Sequence, residues 1–343
     1  MSYTAACILG VVGILVIAAI VVFIIWKRAD SKNTFNYVFN REVQTKWSRQ
    51  CSDPLNRDLN RMFEYGTDWA RNNRDYKEEI SCATAGGQLH AQYFNFGSKS
   101  AVIIVPGMYE SSSYSYYYAE IYKQAGYNLC LIDNRATGLS FGQFNTIGYE
   151  EKKDVVEWAR CLHDMHGIDS VILHGISMGA STCVLALNEP NCPSYVKAFI
   201  SDECYTDFRT YFRKFFEYKT WRLSSFNSVL KKLEEKACNP DLVAPVSCID
   251  HVEVPTLFLF GNQDQLISKE DAASLYEKLG TAVGNKDKEI VWFDYGLHGF
   301  LRSSDPDKYD QSIADFLTGH NLVLPLNIEE KPPVPEITQN ENI

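Results

Sequence analysis

The segment from Ser170 to Leu187, SVILHGISMGASTCVLAL, narrows most what this chain can fold into. An apolar β-type run meets Gly175-Ile176-Ser177-Met178-Gly179, and helix formers follow from Ala180 to Leu187. The pattern is strand, tight turn, helix, with Ser177 at the apex. So sharp a turn leaves no room for flanking side chains, and both flanks are glycine. The serine hydroxyl is then held out at the carboxyl edge of a sheet. The N–H of Met178 opens the helix beside it and points toward any oxyanion formed there. Gly138-Leu139-Ser140-Phe141-Gly142 has the same spacing, but no helical pattern follows, so Ser140 lacks this context.

The surrounding pattern supplies the sheet. EEISCAT and QLHAQYFN flank Gly86-Gly87, which predicts a hairpin. AVIIVP, YNLCLID, SVILHG, VKAFIS, PTLFLFG and EIVWFDY then alternate with helical segments: YSYYYAEIYKQAG, EEKKDVVEWARCLHDMHG, SKEDAASLYEKLG and DKYDQSIADFLTG. Alternating apolar strands and amphipathic helices predict an α/β fold, with a mostly parallel central sheet covered on both faces. Residues 205–240 break the alternation and form a helical insertion rich in aromatics. It lies where a lid would cover the sheet edge. Tyr109, Phe212, Phe215, Phe216 and Trp221 are the candidate substrate contacts; packing of the insertion rings onto the body is the alternative.

A serine hydroxyl needs a base within hydrogen-bond reach, and the base needs an orienting carboxylate. In an open α/β sheet both come from loops at the carboxyl ends of strands. Asp264 follows PTLFLFG, and His298 lies in Gly296-Leu297-His298-Gly299 after EIVWFDY. Of the seven histidines, His298 has this placement; His174 belongs to a core strand, and His163 and His166 form a helical pair. Asp202 or Glu203, just after VKAFIS, is the rival acid. The loop Pro106-Gly107-Met108-Tyr109 after AVIIV supplies a second oxyanion donor, the Met108 N–H.

Residues Ala5 to Trp26 carry no charge, which predicts a membrane span with a cleaved signal peptide as the alternative. Lys27, Arg28 and Lys32 follow the run and no basic residue precedes it, so the body is expected in the cytosol. Between 27 and 74 there are ten Lys/Arg against six Asp/Glu, a collar suited to anionic lipid or to a solvated linker. The whole chain carries −10, which argues against nucleic acid as a partner. The cysteines show no Cys-x-x-Cys or zinc-like spacing, so no metal is implied. Cys130, Cys161 and Cys183 lie in apolar stretches, as buried free thiols do. The organisation is an anchor over 1–28, a juxtamembrane connection and helix over 29–75, a catalytic domain over 76–320, and a Pro/Glu-rich disordered tail over 321–343.

HGISMGA around Ser177, RATGLS at Arg135–Ser140, GNQDQLI around Asp264 and GLHGF around His298 together resemble the α/β-hydrolase superfamily over 76–320. The chain is most similar to single-span, membrane-anchored hydrolases and related bacterial serine hydrolases. The order Ser177, Asp264, His298 matches that superfamily. The resemblance places Gly138 and Ser140 in its R-x-x-G-x-S loop. It departs in having Pro106-Gly107 where many members carry His-Gly. The expected activity is hydrolysis of carboxylic esters or thioesters, in acyl lipids or acylated proteins, with no cofactor. A serine peptidase or acyl-peptide hydrolase is the second reading, and a non-catalytic scaffold the third.

Overall fold

The computed structural model describes residues 3–43 and 57–323. Its sheet comprises β1 Lys77–Thr84, β2 Gly87–Phe94, β3 Ser100–Val105, β4 Asn128–Ile132, β5 Ser170–Ile176, β6 Val196–Asp202, β7 Thr256–Gly261 and β8 Lys288–Phe293. The strands lie side by side in the order β1-β2-β4-β3-β5-β6-β7-β8. β1, β2 and β4 pair antiparallel, and all later pairings are parallel.

The helices are α1 Tyr3–Phe39, α2 Arg57–Asn72, α3 Ser112–Ser115, α4 Ala119–Gln124, α5 Glu151–His166, α6 Met178–Leu187, α7 Phe208–Tyr218, α8 Leu223–Lys236, α9 Lys269–Lys278, α10 Leu301–Ser304 and α11 Pro306–Gly319. The helix expected over Tyr114–Gly126 is broken into α3, a 3-10 turn over Tyr116–Tyr118, and α4. At the break, Arg302 donates to the Tyr117 carbonyl at 2.8 Å.

Period-two strands bury both faces of the sheet. Ala101, Ile103 and Val105 of β3 join a core with α5, α6, α7 and α8. Val102 and Ile104 face the opposite core, built on α2, α4 and α11. Each large apolar side chain so buried stabilises by about 1.5–3 kcal/mol relative to exposure. The sheet is therefore a rigid platform, and the loops at its carboxyl ends inherit fixed positions.

α1 does not end near residue 28, as the sequence suggested. It continues to Phe39 because Phe35, Val38 and Phe39 form an i, i+3, i+4 stripe that enters the core. The Phe39 ring lies 5.5 Å from that of Phe212. The preceding apolar residues, Ile8 to Ile25, are exposed. By length and composition this helix can cross a membrane.

Cys161 is not a free thiol. β1 and α5 bring the Cα atoms of Cys82 and Cys161 to 6.3 Å, and the two form a disulfide. Cys130 and Cys183 are free and buried, as expected. Leu322 still accepts a hydrogen bond from the Tyr127 hydroxyl. The rest of the expected tail, from 324 on, lies outside the described residues.

Candidate active site

Ser177 follows β5 directly and caps α6 with φ 52° and ψ −111°, a strained conformation for a residue with a side chain. The sequence allows it through two glycines. A Cβ on Gly179 would lie 2.0 Å from the Val105 carbonyl oxygen, and one on Gly175 would lie 2.5 Å from Ala180. The turn is thus pressed between its own helix and the end of β3. The Ser177 N–H donates to the Asp202 carbonyl at 2.7 Å, which pins the apex to β6.

Three loops then converge. Ser177 Oγ lies 2.7 Å from His298 Nε2. His298 Nδ1 lies 2.8 Å from Asp264 Oδ2. Asp264 Oδ1 accepts the N–H groups of Leu266 at 2.7 Å and Ile267 at 2.9 Å. Burial opposes ionisation of Asp264. The facing His298, and hydrogen bonds from His298, Ile267 and Leu266, outweigh it and hold the carboxyl below its ordinary value. The structure therefore brings together the serine, histidine and carboxylate singled out from the sequence. They follow β5, β8 and β7, all at the carboxyl edge.

Of the two rival acids, only Asp202 is engaged away from His298. Asp202 accepts a hydrogen bond from the Tyr309 hydroxyl at 2.6 Å. Tyr309 lies 3.1 Å from His174 Nε2, whose Nδ1 lies 2.9 Å from the Tyr122 hydroxyl. His174 is thus a core residue, and burial lowers it to about 3. Glu203 lies closer to the chemistry. Its Oε2 accepts the Gly299 N–H and stands 3.6 Å from His298 Nδ1. Burial first, then the neighbouring Asp264 and Asp202 carboxylates, push Glu203 well above its ordinary value. Glu203, Asp264 and His298 offer three ligand atoms within 4.8 Å of one another. Their hydrogen bonds to Ser177, Gly299, Leu266 and Ile267 account for the arrangement.

A cavity of about 240 Å³ opens at Ser177, lined by Met108, Tyr109, Tyr211, Phe215, Leu266 and His298, among others. Met108 lies at its wall in a tight loop. Gly107 N–H donates to Glu110 Oε2 at 3.0 Å, and Tyr109 adopts φ 76°. Burial raises this Glu110 carboxyl to about 7. Met178 is the first residue of α6, and its side chain is buried in the core.

Of the five expected substrate contacts, Tyr109 and Phe215 line this cavity. Phe212 and Phe216 do not. They are 0% exposed and serve packing, with the Phe216 ring 5.3 Å from that of Phe226. Their side of α7 faces α1 and α8, so for these two the packing alternative holds. Trp221 lies outside the cavity, against a second groove.

Tyr211 was not distinguished from its aromatic neighbours in the sequence. It lines the cavity with Ser177, and its ring lies 5.6 Å from the His298 ring. Burial raises its phenol above the ordinary value. Nothing in the spacing of the insertion's aromatics marks this one. Ser140 is structural: its Oγ donates to the Asp133 carbonyl at 2.7 Å and accepts the His90 N–H at 2.8 Å.

The chain matches a family profile for the α/β-hydrolase fold over residues 100–234 and one for the dienelactone hydrolase family over 240–316. It is 25% identical to the uncharacterized protein YqkD of Bacillus subtilis over 227 residues, covering 65% of this chain and 72% of that one. The fold is similar to the Pyrococcus furiosus esterase Pf2001, with TM-score 0.62 and 20% identity over 73% of this chain and 93% of the esterase. It is also similar to an acylaminoacyl peptidase of Pyrococcus horikoshii, with TM-score 0.54 and 16% identity, over 75% of this chain and 43% of the peptidase. The chain belongs to the α/β-hydrolase superfamily. It is a serine hydrolase of that fold.

Proposed function

We propose that this chain is a membrane-anchored hydrolase of carboxylic esters or thioesters, acting on acyl lipids or acylated proteins. The observation that carries the reading is the continuous hydrogen-bond chain Ser177–His298–Asp264. Ser177 attacks the acyl carbonyl as His298 Nε2 takes its proton. Asp264 keeps the remaining imidazole proton on Nδ1 and stabilises the imidazolium. The N–H groups of Met108 and Met178 receive the oxyanion. His298 then protonates the leaving alcohol or thiol, and water releases the acyl group by the same steps in reverse. The Gly107–Glu110 bond holds the Met108 loop in its turn.

The exposed apolar run of α1 supports anchoring, and Lys27, Arg28 and Lys32 support a cytosolic body. The Cys82–Cys161 bridge weighs the other way, because such bonds persist in oxidising compartments. Protease added to the cytosolic face of sealed membranes should digest the body. A protected body would place it on the opposite side.

The substrate class is tested by hydrolysis of a graded series of acyl esters and thioesters by the detergent-solubilised full chain. Long acyl chains should be preferred, and Ser177→Ala should abolish all turnover. Equal rates on short soluble and long-chain esters, with or without the anchor, would contradict a membrane substrate. The same hydrogen-bond chain cleaves amides, and the likeness to an acylaminoacyl peptidase favours that second reading. Ser177-dependent cleavage of an N-acylated peptide would promote it.

A further inference from the structure

Beside the catalytic cavity lies a second groove of about 610 Å³. Asn33, Thr34, Asn36 and Tyr37 of α1 form one wall, and Lys219 and Trp221, between α7 and α8, form the other. Tyr37 and Lys219 also line the catalytic cavity. The two spaces therefore meet at a shared pair of side chains.

The groove is tied to the span by direct contacts. The Arg222 guanidinium lies 4.0 Å from the centre of the Trp26 ring, at the end of the apolar run. Ser225 of α8 donates to Asp30 of α1. The Trp221 ring meets the Tyr37 ring edge-on at 5.8 Å. At 1.5 Å per residue, Tyr37 stands about 16 Å along α1 from Trp26. The insertion is thus clamped to the anchor, and the groove opens about 10–16 Å along α1 from the end of the apolar run.

Its chemistry is that of an anion seat. Asn33, Asn36 and Thr34 offer neutral polar groups, and Lys219 supplies a cation at the junction. The Lys219 Nζ lies over the rings of Tyr218 at 5.4 Å and Phe215 at 5.7 Å, with no ion pair among the described residues. Lys27, Arg28, Lys32 and Arg222 add positive charge on the membrane side. Beyond the junction the catalytic cavity is lined largely by Met108, Tyr109, Tyr211, Phe215 and Leu266, with Glu110 and Gln265 as polar groups.

We propose that this groove seats the phosphate-bearing headgroup of an anionic glycerophospholipid drawn directly from the chain's own leaflet. An acyl ester then passes between Tyr37 and Lys219 into the catalytic cavity. This rests on the hydrolase reading above. Ser177 Oγ forms a bond to the acyl carbon as the ester C–O bond breaks. The serine proton passes through His298 to the departing lysolipid oxygen. Water then cleaves the acyl-serine ester to give a fatty acid and restores Ser177.

The test uses the full chain reconstituted in phosphatidylglycerol vesicles, with released fatty acid as the readout. A soluble short-chain nitrophenyl ester and fluorophosphonate labelling of Ser177 report the catalytic cavity separately. Asn33→Trp and Thr34→Trp fill the groove away from that cavity. They should lower phosphatidylglycerol hydrolysis about tenfold or more while leaving labelling and soluble-ester turnover unchanged. Asn33→Asp should lower hydrolysis of phosphatidylglycerol more than that of phosphatidylcholine. Wild-type vesicle rates in the Trp variants, or an equal fall on vesicles and soluble ester, would overturn the groove. Loss of Ser177 labelling in the wild type would instead overturn the hydrolase reading itself.

Discussion

Glu203 holds a carboxylate oxygen 3.6 Å from Nδ1 of His298, the same ring nitrogen that Asp264 engages at 2.8 Å. Glu203 also adopts φ 55°, and its Oε1 is buried without a partner. A buried, strained carboxyl group beside the His298 imidazole is unusual enough to have consequences.

The first concerns loss of Asp264. When a triad carboxylate has no substitute, Asp→Asn costs about 10⁴-fold in kcat. Here Asp264→Asn should cost only about 10²-fold, because Glu203 stands 3.6 Å from Nδ1 and loss of the neighbouring Asp264 charge eases its ionisation. Asp264→Asn with Glu203→Gln should restore the full loss. Steady-state kinetics of the two variants check this. A full loss in Asp264→Asn alone would remove Glu203 from the account.

The second concerns pH. Burial raises Asp202 to about 7, so the folded protein holds a proton there that the unfolded chain releases near 4. The folded state binds more protons across that window, so this group's stabilisation is complete below about 4 and is lost as pH rises toward about 7. Asp202→Asn keeps an acceptor for Tyr309 and removes the titration. Its thermal midpoint should fall less than that of the wild type between pH 5 and 8. Parallel midpoint curves would contradict the assignment.

The third concerns the turn. Gly179→Ala would drive a Cβ onto the Val105 carbonyl. Overpacking of this kind costs about 1–3 kcal/mol, and here it also displaces Ser177. Urea unfolding should show that loss together with a large fall in turnover. Unchanged stability would show that β3 can yield.

The fourth concerns the bridge. Cys82 and Cys161 close a sequence separation of 79 residues. Protein isolated without reductant should resist alkylation at both, and Cys161→Ser should lower stability by about 2–4 kcal/mol. Cells quenched with an alkylating agent report the compartment. A cytosolic body keeps both thiols alkylatable there, whereas an oxidised pair places the body in an oxidising space.

The sheet and the three convergent residues were legible because both are written in local pattern. Apolar strands alternating with helices imply a parallel sheet, and Ser177, Asp264 and His298 each follow a strand end. The bond between Cys82 and Cys161 was not legible, since pairing depends on how α5 lies against β1. The extension of α1 to Phe39 was hidden for a related reason. Phe35, Val38 and Phe39 form a short stripe whose partners, Phe208 and Phe212, come far later in the chain. Assigning the aromatics of the insertion failed in part because its rings all read alike. Which ones face Ser177 depends on the rotation of α7. That rotation turns Tyr211 and Phe215 toward the cavity, and Phe212 and Phe216 toward α8.

The most direct test is fluorophosphonate labelling of the detergent-solubilised full chain, wild type beside Ser177→Ala. The hydrogen-bond chain from Ser177 through His298 to Asp264 predicts a wild-type adduct on Ser177 and none in the variant. A folded wild type that takes up no probe, or a Ser177→Ala protein that labels as well, would contradict Ser177 as the activated nucleophile.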